Sequence, residues 1–241
     1  MSTQGRVVIA HLYPREMNIY GDLGNIIALV KRLEWRGYQA EVRPVEVGEP
    51  FEWAAVDLVF GGGGQDAGQF LVGADLQSRG AELRQLAADG VPMLTICGTY
   101  QLFGRGFTTV DGREIPGIDI FRASTIGGST RMVGNIIVDS PFGRLVGFEN
   151  HSGQTLLESG QEPLGRVRRG SGNDPRSRHE GAITGNAIGT YLHGPVLPKN
   201  PALTDHLLLT ALRRRYGLAE LPPLDDALER QAAKAAMARP R

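Results

Sequence analysis

The chain has 241 residues, and its 26 lysines and arginines balance 26 aspartates and glutamates, so the formal net charge is zero. This balance provides no overall basic field, so we expect no nucleic-acid partner. The apolar runs are short beside the roughly 20 residues of a membrane-spanning helix, and a single cysteine excludes an internal disulfide. The composition is typical of a soluble, cytoplasmic globular protein.

In the first half of the chain, short apolar runs alternate with helical patterns. The candidates in chain order are a strand at 6–13, a helix at 24–37, strands at 38–47 and 54–60, a helix at 76–90, a strand at 91–96 and a helix from residue 98. This alternation predicts an α/β protein with an open, mostly parallel sheet that is covered by helices on both faces.

The second half has more β-like patterns, separated by glycine-rich turns. Residues 158–182 are polar and rich in arginine and glycine, which predicts an exposed, mobile loop. A clear helix follows at 201–217, opened by a proline and closed by a glycine. We expect a single domain over residues 1–220 and a C-terminal tail, 221–241, that can form a helix.

Cys97 lies at the junction between the strand 91–96 and the next helix. A lone cysteine beside a buried strand can be a small core residue. A sharp strand-to-helix turn, however, holds its side chain at the carboxyl edge of a parallel sheet, where the helix N-terminus favours a thiolate. Gly98 relieves crowding just after the turn. The sequence therefore predicts that Cys97 is a nucleophile on a strand-turn-helix elbow.

Four consecutive glycines, 61–64, follow the strand 54–60 and belong to the same predicted sheet edge as Cys97. Glycines let backbone amides approach a reacting carbonyl closely and stabilise an oxyanion. The alternative is a phosphate-binding loop, but none of the lysines follows a glycine as a P-loop requires. We therefore interpret the glycine run as part of an oxyanion site.

A thiol nucleophile needs a base, and His193 is the first candidate. It ends a strand candidate in "GTYLHG", and a histidine far downstream of the cysteine is common in Cys/His hydrolases. His151, in "FENHSG", is the second candidate. The other histidines fit core or solvated positions and are His11, His179 and His206. The spacing of His, Cys and carboxylate residues resembles no ligand set, so we expect no metal site.

Three stretches in this order and spacing, "FGGGGQD", "ICGTYQLFG" and "GTYLHGP", resemble the triad-type (class I) glutamine amidotransferases, in particular their cobyric-acid-synthase-like branch. Within that branch, "MNIYGDLGNIIAL" and "GFENHSGQT" are similar to the GatD family, the amidotransferase subunits of lipid II isoglutaminyl synthase. The resemblance covers residues 6–217 and implies the flavodoxin-like fold of the class I amidotransferases.

The resemblance also implies a catalytic cycle. Cys97 would attack the side-chain amide of glutamine, giving a γ-glutamyl thioester and ammonia, while His193 transfers the proton. The backbone amides that would form the oxyanion hole are those of Gly62, Gly63 and Gly98.

Two further residues would hold the glutamine substrate according to the resemblance. Arg131 would pair with its α-carboxylate, and Gln101, one turn into the helix after the elbow, would contribute a further contact. The alternatives are a solvated loop arginine for Arg131 and ordinary helix packing for Gln101, and the sequence leaves them open.

The GatD resemblance implies a partner as well. This would be a Mur-ligase-like, ATP-dependent synthetase subunit of the MurT type, in a heterodimer that amidates the α-carboxyl of D-isoglutamate in lipid II for peptidoglycan synthesis. ATP and Mg²⁺ would bind to the partner, and this chain would carry no cofactor. The lipid-linked substrate would bring the complex near the inner face of the membrane.

The sequence departs from the family pattern in two places. Related elbows usually carry glycine where Thr95 and Thr99 stand here, and because both residues are small the elbow is kept. An acid often follows the histidine by two residues, but here Pro195 occupies that place. Asp205 and Glu180 are the nearest acids along the chain, and neither has a sequence reason to reach His193. We therefore expect either a Cys/His dyad or a carboxylate supplied by the partner, which would make the isolated chain a poor glutaminase.

Two other functions remain as alternatives. One is an amidotransferase component that acts on a cobyrinic-acid-type corrinoid or on another carboxylate. The other is a catalytically silent α/β binding or regulatory module, although the presence of both Cys97 and His193 argues against it.

Overall fold

The computed structural model describes residues 4–64 and 66–239. The first half alternates strands and helices as its hydrophobic pattern predicts. Its elements are β1 (Gly5–Leu12), α1 (Leu23–Glu34), β2 (Tyr38–Val45), β3 (Leu58–Gly61), α2 (Asp66–Ala88), β4 (Met93–Ile96) and α3 (Gly98–Phe103). The predicted order is confirmed, but α2 starts at residue 66 instead of 76. The glycines in its first turns resemble loop signals, whereas Gly73 in fact lets the helix approach Ile115 closely.

The second half is mainly β-structure, as predicted, and it ends in helices. Its elements are β5 (Gly106–Thr108), β6 (Glu114–Pro116), β7 (Ala123–Ser140), β8 (Gly143–Leu157), β9 (Gly165–Arg169), β10 (His179–Glu180), β11 (Ala182–Thr184), β12 (Ala187–Thr190), α4 (Pro201–Tyr216) and α5 (Ala227–Ala238). Strands β7 and β8 form a long antiparallel hairpin that belongs to a second sheet with β5, β6, β9 and β10.

The main sheet has the strand order β11-β12-β4-β3-β1-β2. All its pairs are parallel except β11 with β12. Without β11, this is the 2-1-3-4-5 order of flavodoxin-like folds, so the predicted fold class is confirmed. The carboxyl ends of four strands are in register, with Leu12 beside Gly61, Gly61 beside Thr95, and Thr190 beside Ile96. The chain segments that leave these strands therefore meet at one edge of the sheet.

The prediction of an exposed loop at residues 158–182 is wrong. The segment contains β9 and β10, and it buries Asn173 and Glu180 completely. Asn173 exchanges two hydrogen bonds with the backbone of Gly181 and accepts a third from the hydroxyl of Tyr100. These polar groups leave water because their hydrogen bonds are replaced within the protein, whereas the arginines of the segment stay exposed or half-buried.

Glu180 provides a pH-dependent contribution to stability. Burial raises its pKa to about 7, against the hydrogen bonds from Thr190 and Tyr191 that lower it. Because the folded-state pKa exceeds the unfolded one, this contribution is largest below the unfolded pKa and is lost as the pH rises through the folded pKa. As the pH rises from about 5 to about 8, we expect the free energy of unfolding of the wild-type protein to fall by about 2 kcal/mol relative to that of Glu180→Gln.

Urea unfolding of both proteins at the two pH values measures this difference. The exposed Glu162, replaced with glutamine, is the matched control and should follow the wild-type curve. Parallel pH profiles for the wild type and Glu180→Gln would contradict the prediction.

The tail forms a helix, α5, that packs back onto the domain. Arg32 of α1 donates to the carboxylate of Asp226 at 2.6 Å, and Arg169 of β9 donates to the carbonyls of Met237 and Arg239. The boundary at residue 220 stays a prediction, and the chain ends, residues 1–3 and 240–241, lie outside the described residues. Within the described ranges, no helix combines the length and apolar character needed to cross a membrane.

Candidate active site

The nucleophile elbow has the geometry that the sequence predicts. Cys97 connects β4 to α3 with φ 51° and ψ −106°, a backbone conformation that is rare for a residue other than glycine. Its N–H donates to the carbonyl of Thr190 at 2.8 Å, and its carbonyl accepts from the amide of Gln101 at 2.9 Å. These bonds hold the turn in place. The side chain is 6 % exposed and lines a cavity, so it is shielded but reachable.

The glycine run packs directly against this elbow. A methyl group added to Gly61 would lie 2.5 Å from Cγ2 of Thr99, and the hydroxyl of Thr99 donates to the carbonyl of Gly62 at 2.6 Å. A methyl group added to Gly98 would lie 3.1 Å from the nitrogen of Gly64. Side chains at these glycines would separate the loop from the elbow, which explains why the chain uses glycine here.

His193 approaches the same point from the end of β12. Its backbone exchanges two hydrogen bonds with Phe148 of the β7–β8 hairpin, and its side chain is completely buried. A methyl group added to Gly63 would lie 2.7 Å from Cε1 of His193 and 3.3 Å from Cβ of Cys97. The structure thus brings the predicted nucleophile and the predicted base together across the glycine loop.

The expectation that no carboxylate of this chain faces His193 is wrong. Oδ1 of Asp22 lies 3.4 Å from Nδ1 of His193, and both side chains are buried. The other two acids are engaged elsewhere: Asp205 pairs with Arg32 and Arg36, and Glu180 accepts from Thr190 and Tyr191. Sequence reasoning missed Asp22 because it precedes His193 by 171 positions. The available signal was its place in "NIYGDLGN", the stretch similar to GatD.

The charges around His193 favour its protonated form. Burial alone lowers its pKa, but the negative charge of Cys97 and the hydrogen bond with Asp22 outweigh this effect and raise the pKa to about 10. Nε2 has no hydrogen-bond partner at ordinary distance among the described residues. Cys97 is nevertheless near enough to raise the pKa of the ring. Since Nδ1 faces Asp22, Nε2 is the nitrogen left for proton exchange with the thiol.

The other buried histidines are unsuited to act as the base. Burial lowers the pKa of His11 to about 4 and that of His151 to about 3. His151, the second candidate, lies near the site, but its ring stacks on Tyr191 at 3.6 Å and its Nδ1 bonds to the carbonyl of Gly153. It is therefore a neutral, fixed part of the cavity wall.

One oxyanion assignment needs correction. The amide of Gly63 donates to Oδ2 of Asp22 at 2.7 Å, so it is already committed to a carboxylate. Gly64 lines the cavity together with Cys97, and its amide nitrogen lies close to Gly98. The arrangement therefore favours Gly64 as a candidate oxyanion donor, while the roles of Gly62 and Gly98 stay predictions.

The cavity in front of Cys97 has a volume of about 370 Å³ and is bordered by the other predicted substrate residues. Arg131 donates to the side chain of Asn150 at 2.6 Å and to the hydroxyl of Tyr20 at 3.1 Å, which holds its guanidinium at the cavity. Gln101 donates to Tyr191 and accepts from Gln69, so protein partners fix its amide. A guanidinium and fixed amides suit a small polar ligand that carries a carboxylate.

Arg131→Ala is expected to raise KM for glutamine by about 10- to 100-fold, because hydrogen bonds to a charged group are worth roughly 1.5–3 kcal/mol. The fall in kcat should be smaller, since the guanidinium would hold the substrate and would take no part in bond breaking. Steady-state glutaminase assays measure both constants. Arg144→Ala is the control, because Arg144 lies beside Asp139 near the turn of the same hairpin, away from Arg131. Unchanged glutamine kinetics in Arg131→Ala would reduce Arg131 to a surface residue.

Comparison with known proteins agrees with this geometry. The family described as the CobB/CobQ-like glutamine amidotransferase domain matches residues 8–201, which include the elbow, the glycine run and His193. The chain belongs to this family. It is therefore a glutamine amidotransferase, an enzyme that takes the amide nitrogen from glutamine. In the described part of the chain, no three metal-binding side chains are grouped to hold an ion.

Two relatives in sequence and one solved structure show what this chain is similar to. The chain is 39% identical over 227 residues to subunit GatD of lipid II isoglutaminyl synthase from Staphylococcus aureus, covering 94% of this chain and 93% of that protein. It is 30% identical to a cobyric acid synthase from Pelotomaculum thermopropionicum, covering 91% of this chain but 42% of that protein. A crystal structure of a glutamine amidotransferase superposes with a TM-score of 0.58 at 15% identity, over 84% of this chain and 98% of that one, which shows the shared fold.

Proposed function

We propose that this chain is the glutaminase subunit of a lipid II isoglutaminyl synthase. The observation that carries the proposal is the match with GatD, which extends over more than nine-tenths of both chains. The match with cobyric acid synthase is weaker and leaves more than half of that protein unmatched. Amide transfer to a corrinoid is the second candidate, since that relative also shares the amidotransferase domain.

The proposed chemistry begins at the elbow. The thiolate of Cys97 attacks the side-chain carbonyl carbon of glutamine, and the amides of Gly64 and Gly98 stabilise the oxyanion of the tetrahedral intermediate. His193 donates the proton from Nε2 to the departing nitrogen, so that the C–N bond breaks and ammonia leaves. A γ-glutamyl thioester remains on Cys97.

Hydrolysis of the thioester completes the cycle. Nε2 of His193 accepts a proton from water, the hydroxide adds to the thioester carbon, and the bond to the sulfur of Cys97 breaks. Glutamate is released and the thiolate is regenerated. Throughout the cycle, Arg131 would bind the α-carboxylate of glutamine, with Tyr20 and Asn150 keeping its guanidinium in place.

The ammonia would be used by a partner subunit. We propose a Mur-ligase-like synthetase of the MurT type, which binds ATP and Mg²⁺, activates the α-carboxyl of D-isoglutamate in lipid II and transfers the ammonia to it. Lipid II would be reached through this partner, so the present chain needs only the glutamine site. A silent binding module is less well supported, because Cys97 lines the cavity and His193, which faces Asp22, lies across the glycine loop from it.

Reconstitution tests the proposal. The chain is combined with a MurT-type partner, ATP, Mg²⁺, lipid II and glutamine carrying an isotopic label in its side-chain amide. Mass spectrometry of the stem peptide should find the labelled nitrogen at the D-isoglutamate α-carboxyl. A cobyrinic-acid-type corrinoid, offered in a parallel reaction, is the competing acceptor.

The outcomes separate the candidates. Label in lipid II, and none in the corrinoid, supports the lipid II function. Glutamate release without label in lipid II would contradict the acceptor while keeping the glutaminase, and the absence of glutamate release would contradict both.

A further inference from the structure

We infer that Tyr20 is a positioning residue that connects the two working parts of the glutaminase site. Its ring holds the imidazole of His193, and its hydroxyl holds the guanidinium of Arg131. The inference rests on the proposed glutaminase function and deepens it, because it makes one side chain responsible for the placement of both the base and the proposed substrate-binding group.

Tyr20 lies between the base and the arginine. The centroid of its ring is 5.0 Å from that of the His193 ring, and the two planes meet at 72°, the edge-to-face geometry that aromatic rings favour. Its hydroxyl oxygen accepts a hydrogen bond from Nη2 of Arg131 at 3.1 Å. Tyr20 and Arg131 line the same cavity as Cys97. The side chain therefore contacts one group for each of the two tasks, proton transfer and binding of the α-carboxylate.

The hydroxyl of Tyr20 is one of two anchors of the guanidinium. The other is the side chain of Asn150, which accepts from Nε of Arg131 at 2.6 Å. A long arginine side chain that is exposed loses rotamer freedom when it is fixed, and an anchored one has already lost part of it before the substrate arrives. Loss of the hydroxyl should therefore weaken glutamine binding, and Asn150 should retain part of it.

The backbone of Tyr20 indicates that its side chain is kept for these contacts. The amide of Asp22 donates to the carbonyl of Ile19 at 3.2 Å, so Tyr20 and Gly21 are the central residues of a tight turn. Their φ angles are 54° and 80°, as in a type I′ turn, which favours asparagine, aspartate or glycine at both positions. A tyrosine is strained there. The contacts with His193 and Arg131 explain why an aromatic residue occupies this position.

A contact with the partner subunit is the main alternative for Tyr20, because its side chain is 41 % exposed. A docking role predicts variants that lose the partner while the isolated chain keeps its glutaminase kinetics. A positioning role predicts altered kinetics, both in the isolated chain and in an assembled complex. Tyr216 is similarly exposed, at 43 %, but its hydroxyl bonds to the backbone of Arg6 instead.

Two variants, tested in the full chain alone and with its partner, separate the two contacts. Tyr20→Phe keeps the ring and loses the hydroxyl, so KM for glutamine should rise about 3- to 10-fold, with kcat within about twofold of wild type. Tyr20→Asn loses both contacts, so kcat should also fall by at least about tenfold, since a small misplacement of a reacting group can cost about 10²-fold. Tyr216→Phe is the matched control and should leave both constants unchanged.

Labelling of Cys97 provides a readout that does not depend on turnover. Diazo-oxo-norleucine carries the α-carboxylate that Arg131 would bind, whereas iodoacetamide carries none. Tyr20→Phe should slow labelling by low concentrations of the first reagent about 3- to 10-fold and leave labelling by the second within about twofold. Tyr20→Asn should slow both. In an Arg131→Ala background, Tyr20→Phe should cost less than about a further twofold with diazo-oxo-norleucine, because the hydroxyl acts through the guanidinium.

Thermal denaturation shows that these losses do not arise from unfolding. Asparagine fits the turn, so the Tm of Tyr20→Asn should stay within about 4 °C of wild type. Wild-type kinetics in Tyr20→Asn, equal slowing of both reagents in Tyr20→Phe, or loss of the partner with unchanged glutaminase kinetics would overturn the inference alone. A wild-type complex that releases no glutamate would overturn the proposed function, and the inference with it.

Discussion

Cys97→Ala is expected to abolish glutamine-dependent amidation while ammonia-dependent amidation by the complex continues. In the proposed cycle, the thiol forms the thioester and ammonia is released, and no other cysteine exists in the chain to replace it. Carboxyl activation would take place on the partner, so ammonium supplied at alkaline pH bypasses the missing step. The comparison of amide formation with glutamine and with ammonium, for wild type and variant, measures this division of labour.

Two controls make the result interpretable. Co-purification of Cys97→Ala with the partner shows that the complex still assembles, and Cys97→Ser shows whether a hydroxyl at the same elbow position restores any hydrolysis. If an assembled Cys97→Ala complex were equally inactive with ammonium, ammonia transfer between separate sites would be the wrong description.

His193→Asn is expected to lower kcat for glutamate release by about a thousandfold, within the roughly 10²- to 10⁴-fold range for general acid–base catalysis. In the proposed cycle, the imidazole both protonates the leaving nitrogen and accepts the proton of the hydrolytic water, so its loss should affect both halves of the cycle. KM should change little, because Arg131 is the proposed contact for glutamine. Steady-state kinetics, together with quench experiments that trap the thioester, measure these effects.

His179→Asn is the matched control for this variant. His179 is exposed on β10, away from the elbow, and its replacement should leave the kinetics unchanged. Ammonia-dependent amidation should also survive in His193→Asn. A His193→Asn enzyme within tenfold of wild-type kcat would mean that another group transfers the proton, and His151 would then be re-examined first.

The site explains several features that looked unusual in the sequence alone. Thr99, at a position where relatives often have glycine, donates to the carbonyl of Gly62 and so ties the elbow to the glycine loop. Pro195, where relatives often have an acid, packs against Gly24. Each departure therefore has a local partner, and neither removes a group that the proposed cycle needs.

The parts of the fold that could be predicted are those with a local cause. The periodicity of the apolar residues indicated β1, α1 and β4, because one strand or helix face must be buried whatever surrounds it. The beginning of α2 and the buried segment at 158–182 could not be predicted in this way. Gly73 and Asn173 are of residue types that are common in loops. Only the tertiary structure shows that Gly73 lets α2 pack closely against its neighbour and that the Asn173 side chain is buried with hydrogen-bond partners.

By itself, the sequence determined that Cys97 stands on an elbow and that the glycine run and His193 each follow a strand, because the strand-turn-helix pattern and parallel pairing bring such ends to one edge. Only the tertiary structure decided which carboxylate meets His193 and that the Gly63 amide serves Asp22 instead of an oxyanion. The physical reason is distance along the chain. Asp22 and His193 are 171 positions apart, and their contact depends on how the start of α1 packs against the turn at Pro195, which no local pattern encodes.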